Sequence, residues 1–264
     1  MKPAAFEYEA PRSVEAALAL LDDDSKVLAG GQSLVPIMNF RLARPARLVD
    51  VNRIDDLAYV RREGGTLRIG ATTRHATLER SGLVARGWPL LQQAVRHVGH
   101  PQIRSRGTVG GSCAHADPTA ELPVALTALD ATFHVVSRRG RRAVGAAEFF
   151  VTHLTTALQA DELLVEIEVP PLSAGARTAF AEHARTHGDW AIAGAAVVVA
   201  PGHAAVALLG AGPTPVRATA AGEALVAGAP AAEAARLAGS LVDDQWRAAL
   251  TTSLVRRAVE GARA

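Results

Sequence analysis

Val27-Leu-Ala-Gly-Gly-Gln-Ser-Leu34 is the stretch on which the fold turns. It starts as a buried strand over Lys26–Ala29, and Gly30-Gly31 then predicts a sharp turn. Ser33 or its neighbour opens a helix over Leu34–Leu42, and Arg47–Val51 predicts the next strand. Upstream, Phe6–Tyr8 predicts a short strand, and Ser13 predicts the cap of a helix over Val14–Leu21. Together these make a βαβ unit with a glycine turn at the carboxyl end of a strand. That is where α/β folds hold ligands.

Outward from this unit the pattern changes. Leu67–Gly70 and Thr132–Val136 predict strands and Pro89–Val98 a helix. Val165–Val169 alternates apolar and acidic residues, as a half-exposed strand does. The run Pro170-Pro171-Leu-Ser-Ala-Gly175 predicts a linker. Beyond it come strands over Thr178–His183, Ala191–Val199 and Ala204–Leu209, then helices over Ala218–Ala227, Ala231–Val242 and Gln245–Ala262. The expected class is α+β. The expected division is 1–175, split into an N-terminal βαβ part (1–55) and a central strand-rich part (56–175), followed by a C-terminal unit over 176–264.

Composition narrows the function. Of 264 residues 49% are hydrophobic, and 28 Lys+Arg against 26 Asp+Glu leave a net charge of only +2. Disorder is excluded, and scattered arginines make no nucleic-acid surface. One cysteine, Cys113, excludes a disulfide framework and any zinc or iron–sulfur site built by this chain alone. Trp190 to Gly212 carries no Asp, Glu, Lys or Arg, but Pro201-Gly202-His203 breaks it into two strand-length halves. A hairpin is expected there, not a membrane span. With no secretory leader, the chain reads as soluble and cytoplasmic.

A second glycine segment, Arg106-Gly-Thr-Val-Gly-Gly-Ser-Cys-Ala-His-Ala-Asp-Pro118, repeats the chemistry of the first. Neither fits GxGxxG or GxxxxGK[ST]. Each pairs two glycines with a nearby hydroxyl, so positive φ at the pair turns successive N–H groups toward one anion. A lone pair is more often just a tight turn. Two of them raise the prospect of one diphosphate held between two loops. Other patterns are weaker. His183 and His187 have HxxxH spacing, but Glu182 precedes them and Gly188 would end any helix. His97, His100 and His115 read as unrelated. Ser112 lacks the second glycine of a nucleophile elbow, because Ala114 stands there. Cys113 reads as core, and Arg138, Arg139, Arg141 and Arg142 around Gly140 as a solvated hairpin tip.

Ala29-Gly-Gly-Gln-Ser-Leu-Val-Pro36, with Arg41-Leu42 and Leu48-Val-Asp-Val51 downstream, resembles the FAD-binding medium subunit of molybdenum hydroxylases, the xanthine dehydrogenase and aerobic carbon monoxide dehydrogenase family. Gln102–Ser112, Ala116-Asp-Pro118, Glu121-Leu-Pro123 and Glu182–Ala191 extend the resemblance over nearly the whole chain. It implies a two-part FAD-binding fold of the vanillyl-alcohol oxidase type, with a C-terminal domain of the carbon monoxide dehydrogenase flavoprotein kind.

The same resemblance implies site residues. The first loop, Leu28, Ala29, Gly30, Gly31, Gln32, Ser33, Leu34 and Val35, would wrap the FAD diphosphate. The second, Thr108, Val109, Gly110, Gly111 and Ser112, would form the opposite wall. Asp117 and Glu121 would be polar flavin contacts, Leu164 an apolar one, and Trp190 would approach the flavin. Two positions depart from the xanthine dehydrogenase type, which has a Lys near Ala181 and an aromatic residue near Val98. The implied activity is electron transfer from [2Fe–2S] clusters of a small subunit to FAD, and on to quinone, NAD or O2. A large molybdopterin subunit would oxidise the substrate, in a doubled heterotrimer. No catalytic residue or metal ligand is assigned to this chain. A stand-alone FAD oxidoreductase and a flavin-free assembly module are the competing readings.

Overall fold

The Ser13 hydroxyl accepts the Ala16 N–H at 3.1 Å and starts the helix Val14–Ala19, as its cap position predicts. In the computed structural model, which describes residues 1–264, that helix belongs to a small parallel sheet. Its strands lie in the order Glu7–Glu9, Arg47–Asp50, Ser25–Leu28. The turn after Leu28 leads into the helix Leu34–Asn39. Ala17, Leu18, Leu21, Val49 and Val51 share a core with Leu163 and Val165 of the next sheet, which locks the two together.

That next sheet has five antiparallel strands, ordered Val60–Glu63, Thr66–Gly70, Leu163–Val169, Thr132–Ser137, Gly140–Gly145. The strand at its centre departs from expectation. Val165–Val169 reads as half exposed, yet only Glu168 is not fully buried. Glu166 tolerates burial because its neighbours satisfy it: Arg68 Nη1 lies 2.6 Å from one carboxylate oxygen and Tyr59 Oη 2.6 Å from the other. An alternating pattern here marks a charged network on one face, not solvent.

Between Gly70 and Thr132 the chain is helical, in six short pieces: His75–Arg80, Gly82–Gly87, Pro89–Val95, Pro101–Arg106, Val109–His115 and Glu121–Ala128. The central region is therefore less strand-dominated than its sequence suggests. These helices and the sheet share a core of 35 buried residues that includes Leu67, Ile69, Leu90, Leu122 and a stacked Phe133–Phe149 pair with ring centroids 4.0 Å apart.

The C-terminal sheet runs Arg177–Ala184, Ala191–Ala200, His203–Leu209, Val216–Arg217, all antiparallel. Gly202, at φ +71°, makes the hairpin expected at Pro201-Gly202-His203; the two-residue fourth strand is unanticipated. Ala196, Val198, Ala207 and Leu209 face the central helices, while Ala195, Val197, Val206 and Leu208 face the helices Thr219–Val226, Ala231–Gly239 and Gln245–Arg263. Burial on both faces explains why Trp190–Gly212 carries no charge. No helix is long and apolar enough to cross a membrane.

Candidate functional site

The two glycine segments meet. A Cβ built on Gly30 would lie 2.6 Å from Arg106 O and 2.7 Å from Gly107 Cα, and one on Gly111 would lie 3.6 Å from Ala29 Cβ. The first segment thus rests directly on the backbone of the second, a contact that only glycine at position 30 permits.

Their conformations differ from the expectation of two matching turns. Only Gly31 has positive φ, at +71°. Gly110 and Gly111 lie in the first turn of the helix Val109–His115, capped by Thr108, whose Oγ1 accepts the Gly111 N–H at 3.2 Å. The second pair is glycine for another reason. A Cβ at Gly110 would stand 2.6 Å from Ala71 Cβ and 2.7 Å from Ala71 O. Close approach to the central sheet, not backbone handedness, sets that residue.

Hydrogen bonding separates the segments further. The N–H groups of Gly30, Gly31, Gln32, Ser33 and Leu34 have no partner within the protein. Ser33 makes no side-chain cap, leaving its hydroxyl free, while Gln32 Nε2 donates to Gly30 O at 3.0 Å and braces the turn. In the second segment the donors from Val109 to Ser112 are taken. Val109 N–H goes to Thr73 O and Gly110 N–H to Ala71 O, both at 2.9 Å, and Ser112 N–H goes to Thr108 O at 3.0 Å. Val109 is fully buried behind the pair. The first segment presents free donors, and the second is the wall it leans on. Five consecutive, unpartnered donors have the chemistry to hold an anion.

Three side chains that sequence reasoning missed hold this junction. Asn52 Nδ2 donates to Ala29 O at 2.7 Å. Arg74 Nη2 donates to Asn52 Oδ1 at 2.7 Å and Arg74 Nη1 to Arg106 O at 2.5 Å. Burial holds the Arg74 pKa below its ordinary value, and the like charge of Arg106 adds to this while Asp50 opposes it. Two guanidinium groups repelling each other beside free N–H groups favour an anion between them. Beneath the second segment, His75 Nε2 bonds Thr108 O at 2.9 Å. Burial, with the charges of Arg104 and Arg74, pushes the His75 pKa down to about 4 against the hydrogen bond to Thr108, so the ring is neutral at neutral pH. In the sequence only Arg106, next to Gly107, carried a signal; the other three depend on the fold.

The Val109–His115 helix spans about 10 Å at 1.5 Å per residue. Past its left-handed end at Ala116 (φ +53°), Asp117 Oδ1 accepts the N–H and hydroxyl of Thr119 at 2.8 and 2.7 Å. Thr119 lines a cavity of about 380 Å3 with Arg185, Asp189, Trp190, Gly210 and Arg247. Trp190 is 77% exposed, and Asp189 Oδ1 accepts its N–H at 2.8 Å. Gly210 N–H donates to Pro118 O at 3.0 Å and ties the C-terminal sheet to this corner. Leu164 is buried in the strand that packs beside the same helix. Glu121, in the first turn of the next helix, is also buried. Desolvation raises its pKa to about 8, helped by the charges of Glu182 and Asp117 and opposed by a hydrogen bond from its own N–H. The fold therefore brings Gly30–Leu34 against the second segment, and Asp117–Thr119 toward Trp190, at opposite ends of one short helix.

A profile described as the FAD binding domain in molybdopterin dehydrogenase matches residues 4–172. The chain belongs to this family. Among its relatives is the 6-hydroxypseudooxynicotine dehydrogenase complex subunit alpha of Paenarthrobacter nicotinovorans, 47% identical over 226 residues, 82% of this chain and 76% of the relative. The carbon monoxide dehydrogenase medium chain of Afipia carboxidovorans is 35% identical over 100% of this chain and 99% of its own. Among solved structures, carbon monoxide dehydrogenase from Hydrogenophaga pseudoflava lacking the Mo-pyranopterin moiety of its cofactor superposes with a TM-score of 0.95. It is 40% identical, covering 100% of this chain and 99% of that one. The family places an FAD-binding role on a fold whose first glycine segment carries a run of unpaired donors.

The remaining candidates do not make sites. His183 lies in the strand Arg177–Ala184, so the HxxxH spacing has no helix to carry it. His134, Glu166 and Glu168 cluster on the outer face of the central sheet, but Arg68 Nη1 lies 2.6 and 3.1 Å from the two carboxylates and occupies the place of a cation. Cys113 is fully buried, and burial raises its thiol pKa. The Arg138–Arg142 tip is partly paired, Arg139 with Asp161 and Arg142 with Glu162.

Proposed function

We propose that this chain carries the FAD of a molybdenum hydroxylase and passes electrons through it. The run of unpartnered N–H groups from Gly30 to Leu34 carries this reading. Those donors would hold the diphosphate, with Leu28, Ala29 and Val35 flanking it and Ser33 offering a hydroxyl. Arg74 and Arg106 would offset its charge. Thr108, Val109, Gly110, Gly111 and Ser112 would back the cofactor as a rigid wall, Ser112 with a free hydroxyl and Thr108 through its cap. Asp117, Glu121 and Leu164 would orient the ring end, and Trp190 would close the cavity over it and exclude water.

Bound flavin supplies the ability to take electrons singly and release them in pairs. The single-electron donor has to come from elsewhere. An iron–sulfur cluster needs four ligands, and the one cysteine is buried at 0% exposure. The reading therefore assigns [2Fe–2S] clusters to a small partner subunit and molybdopterin to a large one, in a cytoplasmic complex doubled by symmetry. Relatives named as a complex subunit and as a medium chain support such an assembly.

The test is reconstitution. Chain co-expressed with its two expected partner subunits should show flavin absorbance near 450 nm that bleaches with a hydroxylatable substrate. The chain alone should keep the flavin and bleach only with dithionite. Steady substrate turnover by the isolated chain would defeat the proposal.

A further inference from the structure

The free N–H groups of the first glycine segment take their direction from the carbonyls beside them. A trans peptide is planar, so each N–H lies antiparallel to the C=O that precedes it. The helix Leu34–Asn39 holds two of those carbonyls: Val35 N–H donates to Gly31 O at 3.1 Å and Ile37 N–H to Ser33 O at 3.2 Å. These bonds fix the N–H groups of Gln32 and Leu34. Ahead of the helix, two side-chain amides take over. Asn52 Nδ2 donates to Ala29 O at 2.7 Å, and Gln32 Nε2 donates to Gly30 O at 3.0 Å. The Gly30 N–H therefore points away from the Asn52 amide, and the Gly31 N–H away from the Gln32 amide.

Asn52 is itself held at every polar atom of its side chain. Of the two hydrogens on Nδ2, one goes to Ala29 O and the other to Asp50 Oδ1 at 2.5 Å. Its Oδ1 accepts Arg74 Nη2 at 2.7 Å, and its backbone N–H donates to the same Asp50 oxygen at 2.8 Å. The other Asp50 oxygen accepts the Tyr8 hydroxyl at 2.5 Å. Two acceptors facing Nδ2 and one donor facing Oδ1 permit a single setting of the amide. Arg74 closes the network by donating at 2.5 Å to Arg106 O, the carbonyl against which Gly30 packs. The chain of bonds thus ends on the one carbonyl whose peptide carries the first free donor.

We propose that Asn52, set by Asp50 and Arg74, is a positioning residue that aims the Gly30 N–H at the FAD diphosphate, and that Gln32 does the same for Gly31. The inference rests on the FAD reading above. Neither amide has to touch the cofactor. Each keeps a glycine peptide from flipping, at residues where no side chain biases the backbone. A carbonyl pinned beforehand spares binding the entropy of ordering that peptide, so affinity rises without a new contact to the ligand.

The experiment titrates the apoprotein with FAD and follows the Gly30 and Gly31 amides in spectra of glycine-labelled, 15N-enriched protein. Asn52→Leu and Gln32→Met keep the side-chain size and remove the donor. Each should bind FAD about tenfold more weakly while melting close to the parent. Both changes exchange one neutral group for another, so the ratio to the parent should not vary with salt. The amide resonances separate positioning from general loosening. FAD should move the Gly30 resonance less in Asn52→Leu and the Gly31 resonance less in Gln32→Met, with the other glycine shifting as in the parent. If both variants bind FAD as tightly as the parent, or each disturbs the two amides alike, the positioning role is overturned. Should Asn52→Leu fail to fold, the smaller Asn52→Ala decides the matter by the same criteria. A parent apoprotein that binds no FAD would overturn the functional reading itself, and this inference with it.

Discussion

At the first glycine pair five consecutive N–H groups, Gly30 to Leu34, have no protein partner; at the second, Val109 to Ser112, four consecutive N–H groups are all bonded. Gly31 needs its left-handed φ of +71°, whereas Gly110 and Gly111 are ordinary helical residues that lack a Cβ because Ala71 and Thr108 press against them. One pair leaves its donors open and the other spends them on the protein. A doubled glycine near a hydroxyl thus has two physical origins, and the free-donor count tells them apart.

Valine at each pair should break this division in opposite ways, with the largest effects expected of any substitution here. At Gly30 the new Cβ meets backbone of the second segment at 2.6 and 2.7 Å, so the two segments must part. Gly30→Val should lose nearly all bound FAD while melting no lower than Gly110→Val, because the first segment can swing away from the second without opening the central core. Gly110→Val drives a side chain into Ala71 and should lower stability by roughly 1–3 kcal/mol, as overpacked cores do, with FAD loss following from misfolding. Flavin content after gel filtration and thermal melts of the apoprotein check both. A Gly30→Val protein that melts far below Gly110→Val would show that position 30 belongs to the core.

Gly31→Ala tests mainly handedness, since its Cβ would meet only side-chain ends, Val35 Cγ2 at 3.2 Å and Leu28 Cδ1 at 3.3 Å. The forced φ costs about 1–2 kcal/mol, on the order of tenfold in FAD dissociation constant. Gly111→Ala has no such φ to contend with and should weaken FAD binding less. Equal losses in titrations of the two apoproteins would remove the distinction.

Why the first segment was legible in the sequence and the second only in part follows from these numbers. A strand, a glycine turn and a helix start are local, so Lys26–Ala29 and a helix from Leu34 could be read from periodicity, although that helix stops at Asn39 instead of Leu42 and Ser33 makes no side-chain cap. The helical state of Gly110-Gly111 is set by contacts with Ala71 and Thr73, some forty residues away, which no local pattern encodes. Arg74, Asn52 and His75 likewise act on the site only after the central sheet forms. The buried strand Leu163–Val169 misleads for the same reason, because Glu166 looks solvent-facing until Arg68 and Tyr59 arrive from neighbouring elements. The C-terminal hairpin was legible because Gly202 and the uncharged flanks are local, while the two-residue strand Val216–Arg217 is too short to leave a pattern.

Acid should loosen the second segment before the first. His75 under Thr108 is neutral in the fold, with its pKa pushed down by burial to about 4 from 6.5. Below the unfolded value the unfolded chain binds a proton that the folded ring refuses. The stabilisation is therefore complete above pH 6.5 and lost as pH falls toward 4, by up to about 3 kcal/mol. The melting temperature should drop more steeply over that range in the parent than in His75→Gln, which keeps a donor near Thr108 O without the titration. Parallel curves would clear His75 of any part in it.

The smallest expected effect is the most specific. Thr108 caps the helix Val109–His115 through Gly111 N–H at a rather long 3.2 Å. Thr108→Val keeps the volume and removes the acceptor, so it should cost about 1 kcal/mol, the usual worth of an N-cap. That amounts to a melting shift of about 2–4 °C in a chain of this size. Thr108→Ser, which retains the hydroxyl, should fall close to the parent. FAD affinity is the informative quantity. If the second segment is only a wall, freeing the Gly111 N–H adds a donor and removes none, so affinity should hold or rise slightly even as the protein melts earlier. A Thr108→Val protein that keeps its melting temperature and loses FAD would mean that this hydroxyl serves the ligand directly. The two glycine pairs would then share one role instead of dividing it.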